Sequence, residues 1–71
     1  MKRTETLCLT ERELVILQLL TTGINNSEIS DRLHISIHTT KAHLESIYYK
    51  LDVTNRLQAV IKAYKLGLIE L

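Results

Sequence analysis

The 71-residue chain contains no proline, a single cysteine and only two glycines. With no proline, nothing in it breaks a helix from within. A lone Cys8 rules out an internal disulfide, and no companion at metal-ligand spacing accompanies it. Cys8 therefore reads as a small apolar residue near the domain edge. Two glycines are too few for a phosphate-cradling loop. No Ser-His-Asp arrangement and no carboxylate pair with a pocket appears either, so catalysis is not expected. Apolar runs fall far short of the roughly 20 residues needed to cross a bilayer, and no signal-peptide core follows the first five residues. The expected location is the cytoplasm, with no membrane partner. Charge of one sign is also scarce. The net charge is +1, whereas strong nonspecific nucleic-acid binders are clearly basic. Residues 36–71 carry five basic groups against three acidic ones, a mild excess that the first 35 residues lack.

What the chain does have is hydrophobic residues at 45%, near the globular average, and a series of helix-start signals. A chain this short makes one domain with a thin core. Thr10 can cap a helix whose third residue, Glu13, reaches back to the cap amide, with Leu9 and Leu14 placed as a hydrophobic staple. Gly23 ends that helix, and Asn25 with Glu28 opens the next. Ser36 caps a longer third helix after the short turn of Leu33, His34 and Ile35. Asn55 caps a fourth, with Gln58 at the capping-box position and Val53 and Ala59 as a small staple. Gly67 closes it in the left-handed conformation, and Leu68 supplies the accompanying contact. The expectation is a loose arm over 1–8 and an all-α domain over 9–71. Its helices fall at 11–22, 27–33, 37–51 and 56–66, and the second and third form a helix-turn-helix. The first helix is apolar around most of its circumference, which hints at burial on more than one face.

The third helix has two unlike faces. At about 100° per residue, Thr40, His43, Leu44, Ile47 and Leu51 form a core stripe. His38, Lys41, Ala42, Glu45 and Tyr49 fall opposite. A cation, a methyl and a carboxylate suit base edges in a DNA major groove: Lys41 donating to guanine, Ala42 meeting a thymine methyl, Glu45 accepting from cytosine. Ser36 and Thr39, beside the exposed amides of the helix start, suit a phosphate. A mixed polar helix face is by itself usually just solvated. The short helix and turn before it favour base reading, because that pairing is the helix-turn-helix unit.

The residues Leu9, Thr10, Arg12, Glu13, Leu17, Leu19, Leu20, Gly23, Asn26, Glu28, Ile29, Leu33, Ile35, Ser36, Thr39, Lys41, His43, Ile47, Lys50, Leu51, Val53, Asn55, Arg56, Ala59 and Val60 resemble the pattern of LuxR-type (LuxR/GerE family) helix-turn-helix domains. The resemblance covers about residues 9–68. It implies four helices, the fourth making a homodimer, and sequence-specific binding of double-stranded DNA by a bacterial transcription regulator. The chain resembles either a small stand-alone regulator of this family or the C-terminal output domain of a response regulator. The family's base-facing positions fall on Lys41, Ala42 and Glu45, the trio already picked by angle. Its phosphate-facing positions fall on Asn25, Asn26, Ser36, Thr39 and Lys50, with Arg56 nearby. Three residues depart from the pattern. Thr40 stands where the family usually has valine, so its hydroxyl needs a partner, such as the carbonyl one turn back. Val15 stands where glutamate is common. Glu45 stands where several relatives carry a basic residue, and its carboxylate should repel phosphates and tighten base choice.

His34, His38 and His43 lack a ligand-spaced cysteine or carboxylate, so no metal or other cofactor is expected. His43 on the core stripe reads as a structural histidine bonded to backbone, while His38 meets phosphate or water. Tyr48 lies between the two faces. The fourth helix has more apolar surface than one side can bury. Leu57, Val60 and Ile61 are expected mainly inward, with Ala63, Tyr64 and Leu66 toward a second copy. RNA polymerase is a further candidate partner, and no small-molecule ligand is expected in the domain. The competing reading is a helical protein-interaction module with weak or no DNA binding, motivated by the near-neutral charge and the apolar first helix.

Overall fold

The computed structural model describes residues 8–71. The arm expected over 1–8 thus lies outside the described residues, except for Cys8. Four helices follow one another: α1 (Glu11–Leu20), α2 (Asn26–Leu33), α3 (Ile37–Leu51) and α4 (Arg56–Lys65), and the described residues contain no strand. The fold is the expected all-α one. Its boundaries come from the caps. The Thr10 hydroxyl accepts from the Glu13 amide while the Glu13 carboxylate accepts from the Thr10 amide, and Asn25 and Glu28 repeat that exchange at α2. Each such cap is worth about 1 kcal/mol. Ser36 caps α3 by accepting from Thr39 N–H. Asn55 caps α4 in the same way through Gln58 N–H, but the Gln58 side chain accepts from Thr54, so that box is not reciprocal.

Helix ends differ slightly from expectation. α1 stops at Leu20 because the hydroxyls of Thr21 and Thr22 turn back to the carbonyls of Gln18 and Leu19. Gly67 is left-handed as expected (φ 75°), but so are His34 (φ 59°) and Asp52 (φ 60°). In all three endings the next residue's N–H reaches the helix carbonyl five positions back: Ile35 to Ser30, Val53 to Tyr48 and Leu68 to Ala63. This arrangement closes the last turn with backbone bonds.

α3 is the central element, packed against α1, α2 and α4, and α1 also packs on α4. The core joins Ile16, Leu17 and Leu20 of α1, Ile29 of α2, Leu44, Ile47 and Leu51 of α3, Ala59 and Ala63 of α4, and Ile69 of the tail. Burying each of the larger of these aliphatic side chains contributes roughly 1.5–3 kcal/mol. Tyr48, undecided by angle, packs half-buried against this core. The tail is clasped as well: Gln18 Nε2 donates to the Glu70 carbonyl at 2.7 Å, and Glu70 N–H donates back to Gln18 Oε1 at 3.2 Å. Val15 stays 46% exposed, so α1 is less fully enclosed than its composition implied. Among the described residues no helix is long and apolar enough to cross a membrane.

Candidate nucleic-acid interface

Three sets of bonds hold the helix-turn-helix in place, and two of them bear directly on α3. On its core side Thr40 is fully buried, and its Oγ1 lies 2.6 Å from Ser30 Oγ. Ser30 donates to the Asn26 carbonyl at 2.8 Å, so the Thr40 hydroxyl donates to Ser30. The partner of Thr40 is therefore on α2 rather than one turn back on its own helix. The pair ties the two helices of the helix-turn-helix across their contact.

On the α1 side, Glu13 is buried although charged. Its Oε1 accepts from Lys50 Nζ at 2.8 Å and from Thr10 N–H at 2.9 Å, and its Oε2 accepts from Ser46 Oγ at 2.7 Å. Burial pushes this carboxyl up, but the Lys50 ammonium, the Thr10 amide and the Ser46 hydroxyl outweigh it and hold the group below its ordinary value. Lys50 also donates to the Cys8 carbonyl at 3.2 Å. On the third side, Arg56 at the start of α4 donates to the Ile24 carbonyl at 3.2 Å and to Asn26 Oδ1. That bond pins the start of α2 to α4.

The opposite face of α3 is open. Lys41, Ala42, Glu45, His38 and Tyr49 are all exposed. Among the described residues, the side chains of Lys41 and Glu45 make no hydrogen bond or ion pair. The side chains expected to read bases therefore share one solvent face, backed by a helix that is bonded on its other sides. Ser36, Asn25 and His38 are exposed, while Thr39 and Asn26 are half-buried. The Ser36 hydroxyl is committed to Thr39, Asn25 to its cap, and Asn26 to Arg56. Lys50 and Arg56, expected at phosphates, are half-buried and engaged inside the fold. Sequence reading missed those internal bonds, and it missed Ser46 altogether. The only signal for Ser46 is its place one turn before Lys50 on the flank facing α1.

Two expectations need correction. His43 is half-buried, and among the described residues its imidazole makes no hydrogen bond, so the expected bond to backbone is not found there. Ala63 is fully buried in the chain's own core and cannot meet a partner, whereas Leu57 (69%), Ile61 (45%) and Tyr64 (55%) are exposed, as is Leu66. The rotation of α4 is thus partly the reverse of the expected one. Its small residues Ala59 and Ala63 are fully buried in the core that residues of α1 and α3 also line. Its bulky apolar residues at i, i+4 and i+7 form an outer stripe.

The family model described as bacterial regulatory proteins, luxR family, matches residues 7–63. The response regulator protein VraR of Staphylococcus aureus is 48% identical over 62 residues, which are 87% of this chain and 30% of VraR. The Staphylococcus epidermidis and Staphylococcus saprophyticus proteins of that name match equally. The chain thus spans about a third of the length of these curated relatives. The crystal structure of the response regulator ChrA, from a heme-sensing two-component system, superposes with a TM-score of 0.84 at 44% identity over 86% of this chain and 30% of that one. The structure of the transcription factor GerE superposes with a TM-score of 0.83 at 37% identity over 87% of this chain and 92% of that one.

Proposed function

Since this chain belongs to the luxR family of bacterial regulatory proteins, DNA-binding domains of transcription regulators, we propose that it reads double-stranded DNA in a sequence-specific way, with α3 in the major groove. The observation that carries this reading is the exposed trio Lys41, Ala42 and Glu45, whose side chains have no partner among the described residues, on a helix fixed from behind. Lys41 donates to guanine, Ala42 meets a thymine methyl and Glu45 accepts from cytosine. His38, Thr39, Ser36 and the amides at the start of α3 meet the backbone, together with Asn25 and Asn26 at the start of α2. Lys50 first holds α3 against α1, Arg56 holds the start of α2 against α4, and both are phosphate contacts only at the rim. The protein works in the cytoplasm as a homodimer on two half-sites, paired through Leu57, Ile61 and Tyr64, with Leu66 at the margin. Two copies compensate for a net charge of only +1.

The test is a salt-titrated binding assay against random duplexes, followed by selection of the bound pool. Selective binding that weakens as salt rises, with two chains on each selected duplex, is the expected result. Absence of binding at low salt, together with tight binding to a protein such as RNA polymerase, would instead establish the protein-interaction module. The exposed apolar stripe on α4 is what favours that second reading.

A further inference from the structure

Ile37 opens α3 and is one of its two exposed large hydrophobic residues, 45% exposed at the first helical position. An isolated exposed isoleucine is ordinary, but this one is not isolated from the reading face. Residues four apart on a helix are surface neighbours. Ile37, Lys41 and Glu45 therefore form one row that drifts about 40° per step around the axis. All three are exposed, and neither charged member of the row has a partner among the described residues. Along the row the chemistry changes from apolar to donor to acceptor. Those are the three properties a major groove presents in complementary form, as a thymine methyl, guanine O6/N7 and cytosine N4. Helix-turn-helix proteins use the first residues of the recognition helix at base edges, where Ile37 stands.

We infer that Ile37 is a specificity-determining residue that packs on the 5-methyl group of a thymine at the end of the site next to the base read by Lys41. The inference rests on the major-groove reading proposed above. It places the methyl contact of Ile37 apart from that of Ala42, which lies on the other side of the row.

Duplexes selected by the 71-residue chain supply the test. Each thymine is replaced singly by deoxyuridine, which removes one methyl and leaves the hydrogen-bond pattern intact. Wild-type protein should lose about fourfold in affinity at one such position beside the Lys41-dependent base pair, the worth of one buried methyl group. Ile37→Ala should bind the parent duplex correspondingly less well and lose its sensitivity at that position alone. It should keep sensitivity at any thymine whose response vanishes in Ala42→Gly. Wild type and Ile37→Ala responding alike at every thymine, while both still select a sequence, would overturn the role of Ile37 and leave the groove reading intact. If wild type selects no duplex at all, the groove reading falls and takes this inference with it. The deoxyuridine series leaves the protein untouched, so its result does not depend on the variant's stability.

Discussion

Lys41 and Lys50 sit on the same helix and do different things. Lys50 faces α1, where the buried carboxylate of Glu13 and the carbonyl of Cys8 hold it. Lys41 faces solvent and has no partner among the described residues. The contrast extends to the acids: among the described residues the Glu13 carboxylate receives three donors, and that of Glu45 receives none. One flank of α3 is thus electrostatically closed and the other is left open. A charge satisfied inside the protein contributes to holding a shape. A charge exposed and unpaired contributes little to stability and is available to a ligand.

Several variants can break or sharpen that contrast. The largest stability effect belongs to Glu13→Ala, which takes the carboxylate partner from the half-buried Lys50 and should lower unfolding free energy by about 3 kcal/mol in denaturant titration. The same carboxyl makes stability depend on acid. Its folded value is depressed, so its contribution is fully present above its unfolded value and disappears as pH falls through the folded one. Glu13→Gln should flatten that acid limb, and an unchanged slope would deny Glu13 its role. On the open flank, Lys41→Ala and Glu45→Ala should leave stability within about 0.5 kcal/mol. Each should alter preference at one base pair by about 1–3 kcal/mol, measured by competition between selected duplexes. Lys50→Met tests the division directly. Reduced stability with a nearly unchanged salt slope is expected of a residue that meets phosphate only at the rim, whereas a slope smaller by about one would make Lys50 a full phosphate contact and erase the contrast. On the bonded side of α3, a smaller loss than that of Glu13→Ala is expected of Thr40→Val. It removes the 2.6 Å bond to Ser30 but leaves Ser30 donating to Asn26, so thermal unfolding should register a loss of about 1 kcal/mol.

The features legible in the sequence are local ones. The reciprocal caps at Thr10–Glu13 and Asn25–Glu28 depend on residues three apart, and α3 has the limits its pattern gives because Ser36 begins it and the core stripe ends at Leu51. The outward placement of Lys41, Ala42 and Glu45 follows from helical angle alone. Tertiary pairings were not legible. Lys50 meets Glu13, Arg56 meets the Ile24 carbonyl, and Thr40 meets Ser30 only after the helices are assembled. The rotation of α4 was hidden for another reason. Apolar residues occupy more than one of its faces, so hydrophobicity cannot choose among them. Side-chain volume can, and the small Ala59 and Ala63 are the residues of α4 that are buried. His34 and Asp52 show a similar limit: glycine announces a left-handed ending, but the backbone bonds of Ile35 and Val53 impose the same ending without it.

The clasp between Gln18 and Glu70 has a mechanical consequence. The amide side chain imitates a peptide group, matching one donor and one acceptor of the tail as a neighbouring strand would. With Ile69 inserted beneath it, α4 is anchored to α1 beyond its own last turn. To pivot, it would have to break both bonds and withdraw an isoleucine from the interior. A homodimer paired through its outer stripe, as proposed above, would therefore form at a preset angle, with little loss of orientational freedom beyond that of docking itself.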